Sequence, residues 1–189
     1  MGRDKALLKL NGRPLITIVI ERLRQVCSDM VIVASNTELY QVTLVPVVQD
    51  IFPNVGVLGG LHAGLIAARC DLALVVACDM PFLLPTLLTA FAGWADGFDA
   101  VVLRDGDNVE PLHAAYRKTC LPSIERAIYS GKRRVISFFP EVRVRYISPI
   151  DAKQYDSQLL SFRNINTPEE WERAQTIWMG YGQAATESP

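Results

Sequence analysis

An acidic residue, Asp79, ends an almost uninterrupted apolar run, Leu-Ala-Leu-Val-Val-Ala-Cys-Asp-Met-Pro-Phe over residues 72–82. Such a run is typical of a central strand that is buried on both faces of a parallel sheet. Asp79 then follows the carboxyl end of that strand, the edge where open α/β sheets bind ligands. A carboxylate there suits Mg2+, a hard cation that keeps several waters and shares the phosphate oxygens of a substrate. The alternative is that Asp79 caps the helix predicted to begin near Pro85.

A second acid follows a second strand. Residues 43–48 are predicted to form a strand that ends before Asp50, and a segment rich in glycine follows over residues 51–64. Glycines allow a backbone to approach a ligand or a neighbouring helix closely. The segment matches neither the P-loop nor the dinucleotide-binding fingerprint, so it indicates a site only weakly. By itself, Asp50 is as well explained as a turn residue.

Composition bounds the class of protein. The chain has 189 residues, half of them apolar, and a formal charge of −1. This predicts one α/β domain over residues 1–179 followed by a disordered tail over residues 180–189. No basic arm or face favours nucleic acid or a membrane as a partner. The four scattered cysteines and the charged amino terminus, which lacks the apolar run of a secretory signal, predict a cytoplasmic protein with reduced, mostly buried thiols.

Strands and helices alternate along the chain. Periodicity and turn residues predict helices over residues 14–27, 58–69, 84–94, 118–130 and 168–179, and further strands over residues 30–34, 100–103, 111–116, 141–147 and 161–165. This order predicts a three-layer α/β/α sandwich with a mostly parallel, Rossmann-like sheet. Of the two histidines, His113 is predicted to be a strand residue and not a general base, and His62 is predicted to pack the glycine-rich helix.

Several segments together resemble the MobA-like nucleotidyltransferases, and within them the guanylyltransferases that act on the molybdenum cofactor. The family signature L-A-G-G-x-S-x-R-M-G-x-D-K-x-L-L, followed by G-x-P-L, is matched in its second half by residues 1–8 and 12–15. Residues 78–82 are similar to its C-D-x-P motif, residues 56–61 to G-P-L-A-G with departures at Val57 and Gly59, and residues 162–169 to its closing N-x-N-T-P-E. Residues 131–135 resemble a G-E-R-R-V-like stretch.

The resemblance implies a Rossmann-like fold of the nucleotide-diphospho-sugar transferase type. It also implies transfer of GMP from MgGTP to molybdenum-molybdopterin with release of pyrophosphate, and transient contact with molybdopterin-handling proteins and target molybdoenzymes.

It assigns roles to individual residues as well. Asp79 would bind the Mg2+, Lys5 would contact the triphosphate, and Asp50 would select guanine by accepting the N1 and N2 hydrogens of the base. Asn164 and Asn166 would lie near the metal or the acceptor. For Asn166, helix capping is the alternative.

Two adjacent cations, Arg133 and Arg134, could receive the anionic pterin, although a charge run is more often a solvated face.

The first half of the opening signature has no counterpart in the sequence. In the family that half supplies a first, central strand, so we expect a slot between the strand at residues 30–34 and the strand before Asp79. We hypothesise that the reading frame begins about twenty residues upstream, the length of one strand and its glycine loop. An in-frame stop codon just before Met1 would rule this out.

Two other functions remain open at this stage. A cytidylyltransferase acting on the same pterin would differ in its base preference. A non-catalytic nucleotide-binding or partner-binding module would be folded but would turn over little GTP.

Overall fold

The computed structural model describes residues 5–52 and 54–184. Helices and strands alternate after a short 3-10 turn at Lys5–Leu7. The strands are β1 (Lys9–Leu10), β2 (Arg13–Pro14), β3 (Ile32–Val33), β4 (Val47–Val48), β5 (Leu72–Val76), β6 (Ala100–Asp105), β7 (Asn108–Arg117) and β8 (Val144–Ile147). The helices are α1 (Leu15–Leu23), α2 (Val57–Ala67), α3 (Pro85–Gly93), α4 (Leu121–Tyr129), α5 (Pro149–Lys153) and α6 (Pro168–Ala184). No helix in this part of the chain combines the length and apolarity needed to cross a bilayer.

The largest sheet has four strands in the order β5-β7-β6-β8. β6 runs parallel to β8, whereas β7 is antiparallel to both β5 and β6. The reversal follows from the hairpin between β6 and β7, where Asp105 pairs with Asn108 and Gly106 adopts a positive φ of 57°. Three strands of this sheet therefore share one direction, and the predicted strand over residues 111–116 is present but runs the other way.

Helices cover both faces of this sheet. One face packs with α2, α4 and the 3-10 segment Val135–Glu141, where Tyr116 and Phe138 are fully buried. The other face packs with α3 and α5 around Phe91 and Val101. The predicted three-layer α/β/α arrangement is confirmed.

β3 and β4 form a separate parallel pair, and no ladder joins β3 to β5 in the described ranges. Two helices connect the two sheets. On one face, α1 packs Ile16 and Ile20 with the β3–β4 pair and Val19 with β5. On the other face, α2 lies against both sheets. This gap between β3 and β5 lies at the position of the predicted slot.

The position of β5 corrects one expectation. The strand before Asp79 was predicted to be central and buried on both faces, but every residue of Leu72–Val76 is only partly buried. The reason is that β5 lies at the edge of the four-stranded sheet, with β7 as its single described neighbour.

Four predicted strands are shorter or absent. Those over residues 30–34 and 141–147 are reduced to β3 and β8. In place of the strand over residues 43–48, only Val47–Val48 pair, because the Thr43 hydroxyl donates to Tyr40 O and accepts from Val45 N, and Leu44 has a positive φ of 58°. The strand predicted over residues 161–165 is wrong. There the chain forms a 3-10 turn in which Ser161 bonds Asp156 and the backbone of Phe82 and Leu84.

The carboxyl-terminal helix is longer than predicted. It was expected to end near residue 179, with a disordered tail after it, but α6 continues to Ala184. Residues 185–189 of the predicted tail lie outside the described residues. None of the four cysteines forms a disulfide bond, and of them Cys120 alone is buried, so the expectation of mostly buried thiols is wrong.

One carboxylate makes the stability of the fold depend on pH. Asp99 accepts hydrogen bonds from the backbone and guanidinium of Arg143 and from the hydroxyl of Thr119. The bonds from Arg143, outweighing the opposing effect of burial, hold the pKa of Asp99 down at about 2, below its ordinary value of 3.8.

We predict that Asp99→Asn lowers the free energy of unfolding at pH 7 by about 1 kcal/mol, since the Arg143 side is exposed and screened. Because the folded-state pKa lies below that of the unfolded chain, the contribution is complete above about pH 5 and is lost as the pH falls toward 2. Urea titrations at pH 7 and pH 3 measure the difference. A gap between wild type and variant that stays constant between these two pH values would contradict this account.

Candidate active site

Asp79 follows β5 in a turn that is held from two sides. The β5–β7 ladder continues through Ala77 N, which donates to Leu112 O, and Ile165 N donates to Asp79 O at 3.0 Å. The segment before α6 is thereby fixed directly beside the end of β5. The capping alternative for Asp79 is wrong: the cap residue of α3 is Leu84, and no side chain caps this helix.

Lys5 reaches the same place from the amino-terminal turn. Its ammonium donates a hydrogen bond to Asn166 Oδ1, and its positive charge acts on Asp79. The contact joins residues that are 161 positions apart in the sequence. The structure therefore brings together three of the predicted site residues, Lys5, Asp79 and Asn166.

The ionised form of Asp79 is incompletely stabilised by its surroundings. Burial raises the pKa of Asp79, a hydrogen bond to its own backbone and the charge of Lys5 lower it, and the charge of Glu170 raises it, with a net rise above 3.8. Because burial is the largest cause, the ionised carboxylate loses more solvation than its hydrogen bond and Lys5 restore. A cation bound at this point would stabilise the ionised form.

The asparagines beside Asp79 differ in their partners. The carboxylate of Glu170 accepts from the backbone N–H groups of Asn166 and Thr167, while Thr167 Oγ1 accepts from Glu170 N. This reciprocal pair is the capping box of α6, so the helix-capping alternative for the Asn166 side chain is wrong. Asn164 Oδ1 is buried and has no hydrogen-bond partner within the described residues. An orphaned buried acceptor costs free energy, which a donor or a cation recovers.

Asp50 lies at the start of α2. Its Oδ1 accepts from Phe52 N at 2.8 Å, and its carboxylate lies against Gly59 in the first turn of the helix. A Cβ built on Gly59 would stand 2.5 Å from Asp50 Oδ2 and 2.6 Å from Oδ1. The side chain of Asp50 thus stabilises a turn, which is the alternative role predicted for this residue. Its role in base selection stays a prediction.

We predict that Gly59→Ala lowers the free energy of unfolding by about 1–3 kcal/mol relative to Gly60→Ala, because it forces the Asp50 carboxylate out of its place. Gly60→Ala is the matched control: the nearest atom to its Cβ would be Val33 Cγ1, an ordinary contact at 3.9 Å. In the control, alanine's helix propensity gives up to about 1 kcal/mol of stabilisation. Urea unfolding compares the two, and equal midpoints would show that the Asp50 contact is unimportant.

Arg133 and Arg134 are exposed. Arg133 Nη1 donates to Asn54 O at 2.6 Å, which connects the segment after α4 to the loop between Asp50 and α2. The side chain of Arg134 makes no capping hydrogen bond, whereas its carbonyl oxygen accepts hydrogen bonds from Ser137 N and Oγ. The structure brings Arg133 to the glycine-rich loop. Within the described residues, neither arginine forms a hydrogen bond or ion pair with Lys5 or Asp79.

Both histidines pack as predicted. His62 is buried against Phe52 and its Nε2 lies 3.0 Å from Glu125 Oε1. His113 is fully buried against Phe91 and Phe162, and burial lowers its pKa to about 4. A histidine that stays neutral in an aromatic core has no role in acid–base chemistry at the Asp79 site.

Sequence reasoning missed two acids that interact electrostatically with Asp79. The first is Glu170, whose charge raises the pKa of Asp79. The second is Glu110, which falls between the predicted strands over residues 100–103 and 111–116, whereas it belongs to β7 and the charge of Asp79 raises its pKa. The antiparallel course of β7 would have identified Glu110, and the sequence signal for that course is the two-residue loop Gly106-Asp107, which is typical of a hairpin.

Comparison with known proteins decides the family. The model of the MobA-like NTP transferase domain matches residues 1–144, well over half of the chain. The chain belongs to this family. A molybdenum cofactor guanylyltransferase of Desulfosudis oleivorans is 39% identical over 175 residues, which cover 92% of this chain and 87% of that protein. The resemblance inferred from the motifs is confirmed.

Solved structures agree with this MobA-like assignment. The molybdopterin-guanine dinucleotide biosynthesis protein A of Archaeoglobus fulgidus is 30% identical, with a TM-score of 0.84 over 95% of this chain and 92% of its own. The 2-C-methyl-D-erythritol 4-phosphate cytidylyltransferase of Thermus thermophilus, at 14% identity, has a TM-score of 0.71 over 93% of this chain and 94% of its own. The second likeness shows the α/β nucleotidyltransferase fold alone.

Proposed function

We propose that this MobA-like transferase moves GMP from MgGTP to molybdenum-molybdopterin and releases pyrophosphate. The proposal rests mainly on one observation at the carboxyl end of β5: Lys5 donates a hydrogen bond to Asn166, and its charge acts on Asp79. Relatives named as molybdenum cofactor guanylyltransferases, 32–39% identical over most of their length, supply the choice of base and acceptor.

The donor atoms around Asp79 fit Mg2+. The site offers the Asp79 carboxylate and the orphaned, buried Asn164 Oδ1, both hard oxygen donors. No group of three or more His, Cys, Asp and Glu side chains that could enclose a metal occurs in the described part of the chain. The Asp79 carboxylate and Asn164 Oδ1 would leave most of the metal's coordination positions open, and substrate phosphates and water would fill them. When bound, the metal would neutralise charge on the phosphate oxygens.

The residues of the chain position the substrates. An acceptor phosphate oxygen forms a bond to the α-phosphorus of GTP while the bond from that phosphorus to the β-phosphate bridging oxygen breaks, and pyrophosphate leaves. Such a reaction needs alignment and charge neutralisation more than covalent help from the protein. Lys5, held by Asn166, is placed to stabilise the negative charge of the triphosphate, and Arg133 and Arg134 supply positive charge for the anionic pterin.

Asp50 would select the base. A carboxylate can accept the N1 and N2 hydrogens of guanine together, and cytosine offers no such pair. In this account the enzyme acts in the cytoplasm and makes transient contact with molybdopterin-handling proteins and target molybdoenzymes.

The experiment is an assay of pyrophosphate release from purified protein with molybdenum-loaded molybdopterin and either MgGTP or MgCTP. We expect release from GTP and little from CTP, and Asp50→Asn should reduce the ratio between the two. Faster turnover of CTP would replace the guanylyl assignment with the cytidylyl one. No release from either nucleotide by a folded, monodisperse protein would favour a non-catalytic module.

A further inference from the structure

The hydroxyl of Ser161 joins two segments that lie far apart in the sequence. Ser161 is fully buried. Its Oγ donates a hydrogen bond to Phe82 O at 3.2 Å and accepts one from Leu84 N at 2.9 Å. Residues 77–84 belong to neither a strand nor a helix, so their buried backbone groups need partners from elsewhere. One side chain thus satisfies both an acceptor and a donor in the loop that follows Asp79.

The same two segments are joined a second time through their backbones, where Ile165 N donates to Asp79 O at 3.0 Å. Residues 79–84 and residues 161–165 therefore run in opposite directions and are held together at both ends, at one end by this bond and at the other by the Ser161 hydroxyl. The position of Asp79 relative to the asparagines on either side of Ile165 depends on both connections.

Ser161 is itself fixed to the core of the domain. The buried carboxylate of Asp156 accepts a hydrogen bond from Ser161 N at 2.7 Å. The next residue, Phe162, packs against His113 of β7, with ring centroids 4.4 Å apart, and against Phe91 of α3. A side chain whose own position is locked by packing and hydrogen bonds can orient the groups that it contacts. Ser161 therefore connects the loop of Asp79 to the rigid part of the fold.

We propose that Ser161 is a positioning residue of the Asp79 site, whose hydroxyl holds the loop of Asp79 in place against the segment that contains Ile165. The inference rests on the proposed function, because that function gives Asp79 its chemical role. Nucleotidyl transfer depends on alignment, and small displacements of the groups that align the substrates are costly in rate. The competing explanation is that Ser161 stabilises the fold without affecting the alignment of the site.

Ser161→Ala removes both hydrogen bonds of the hydroxyl and leaves the volume of the side chain nearly unchanged. Ser123→Ala is the matched control, because Ser123 is also buried and its Oγ accepts a hydrogen bond, from Arg126 Nη2 within α4. If either alanine variant does not fold, the comparison is made between Ser161→Cys and Ser123→Cys. A cysteine packs well as a small buried residue, and its thiol forms only weak hydrogen bonds.

The first measurement is hydrogen exchange of the Ile165 amide, followed by NMR in the protein without ligands. Its rate is divided by that of the β6 amides, which lie in the core and open with global unfolding. We expect this ratio to rise by about 10-fold or more in Ser161→Ala and to stay at the wild-type value in Ser123→Ala. A purely structural role would change both rates together. An unchanged ratio in Ser161→Ala overturns the inference.

The second measurement is the steady-state rate of pyrophosphate release with varied GTP. We expect Ser161→Ala to lower kcat by about 10-fold or more and to change KM for GTP by less than about 3-fold, because alignment is lost while the groups that bind the nucleotide remain. Ser123→Ala should match wild type in both parameters. Equal kcat in the two variants overturns the inference. A wild-type protein that releases no pyrophosphate from GTP overturns the proposed function instead, and the exchange of Ile165 then decides whether Ser161 holds the loop.

Discussion

Asp79→Asn is expected to lower the rate of pyrophosphate release from MgGTP by at least about 100-fold, the size of effect seen when a preorganised electrostatic group is removed. Asparagine keeps the shape of the side chain but loses the charge that would hold the metal. The backbone contact of this position, Ile165 N to Asp79 O, does not involve the side chain and should persist. The loss therefore falls on chemistry and not on folding.

The stability of this variant gives an independent check. Burial raises the pKa of Asp79 above its ordinary value, so ionisation of this carboxylate disfavours the folded state at neutral pH. In metal-free protein, Asp79→Asn should therefore be as stable as wild type or more stable. Asp96→Asn, an exposed acid before β6, is the control and should retain its rate. A rate within about 10-fold of wild type in Asp79→Asn would remove Asp79 from the chemistry.

Lys5→Met is expected to lower kcat/KM for GTP by about 100-fold. Lys5 is the described cation whose charge acts on Asp79, and methionine keeps an unbranched chain while removing that charge. If the contact strengthens as charge develops on the leaving pyrophosphate, kcat falls together with kcat/KM. Steady-state kinetics with varied GTP at saturating acceptor separates the two parameters.

Two further variants sharpen the result for Lys5. Lys9→Met removes an exposed cation from the adjacent two-residue strand β1 and should leave the kinetics unchanged. Asn166→Ala removes the acceptor that holds the Lys5 ammonium and should give a smaller loss, because the charge remains but is less well placed. Equal kinetics in Lys5→Met and Lys9→Met would contradict a role for Lys5 at the triphosphate.

The location of Asp79 could be predicted because an apolar run indicates a strand, and the acid that ends the run marks the edge of the sheet. It does not carry the environment of that strand. Burial of β5 depends on which strands lie beside it, and its half-buried state follows from its edge position. The three layers could be predicted because they need only the alternation of elements, whereas lateral neighbours depend on long-range pairing.

The contacts that were not predicted are set by the local geometry of turns and loops, which leaves no periodic pattern in the sequence. β7 reverses because of a two-residue hairpin at Gly106, so Glu110 lies in a strand that is antiparallel to β5. The contact of Asp50 with Gly59 likewise follows from the course of the loop that joins β4 to α2. Lys5 and Asn166 were predicted separately from motifs, and their hydrogen bond was not.

The most direct test of the central claim follows the α-phosphate of GTP. Wild-type protein and Asp79→Asn are incubated with GTP labelled at the α-phosphate, Mg2+ and molybdenum-loaded molybdopterin, and label in the pterin product is measured. The account predicts label in the pterin with wild type, in step with pyrophosphate release, and almost none with Asp79→Asn. Equal labelling by both proteins, or no labelling by folded wild type, would contradict it.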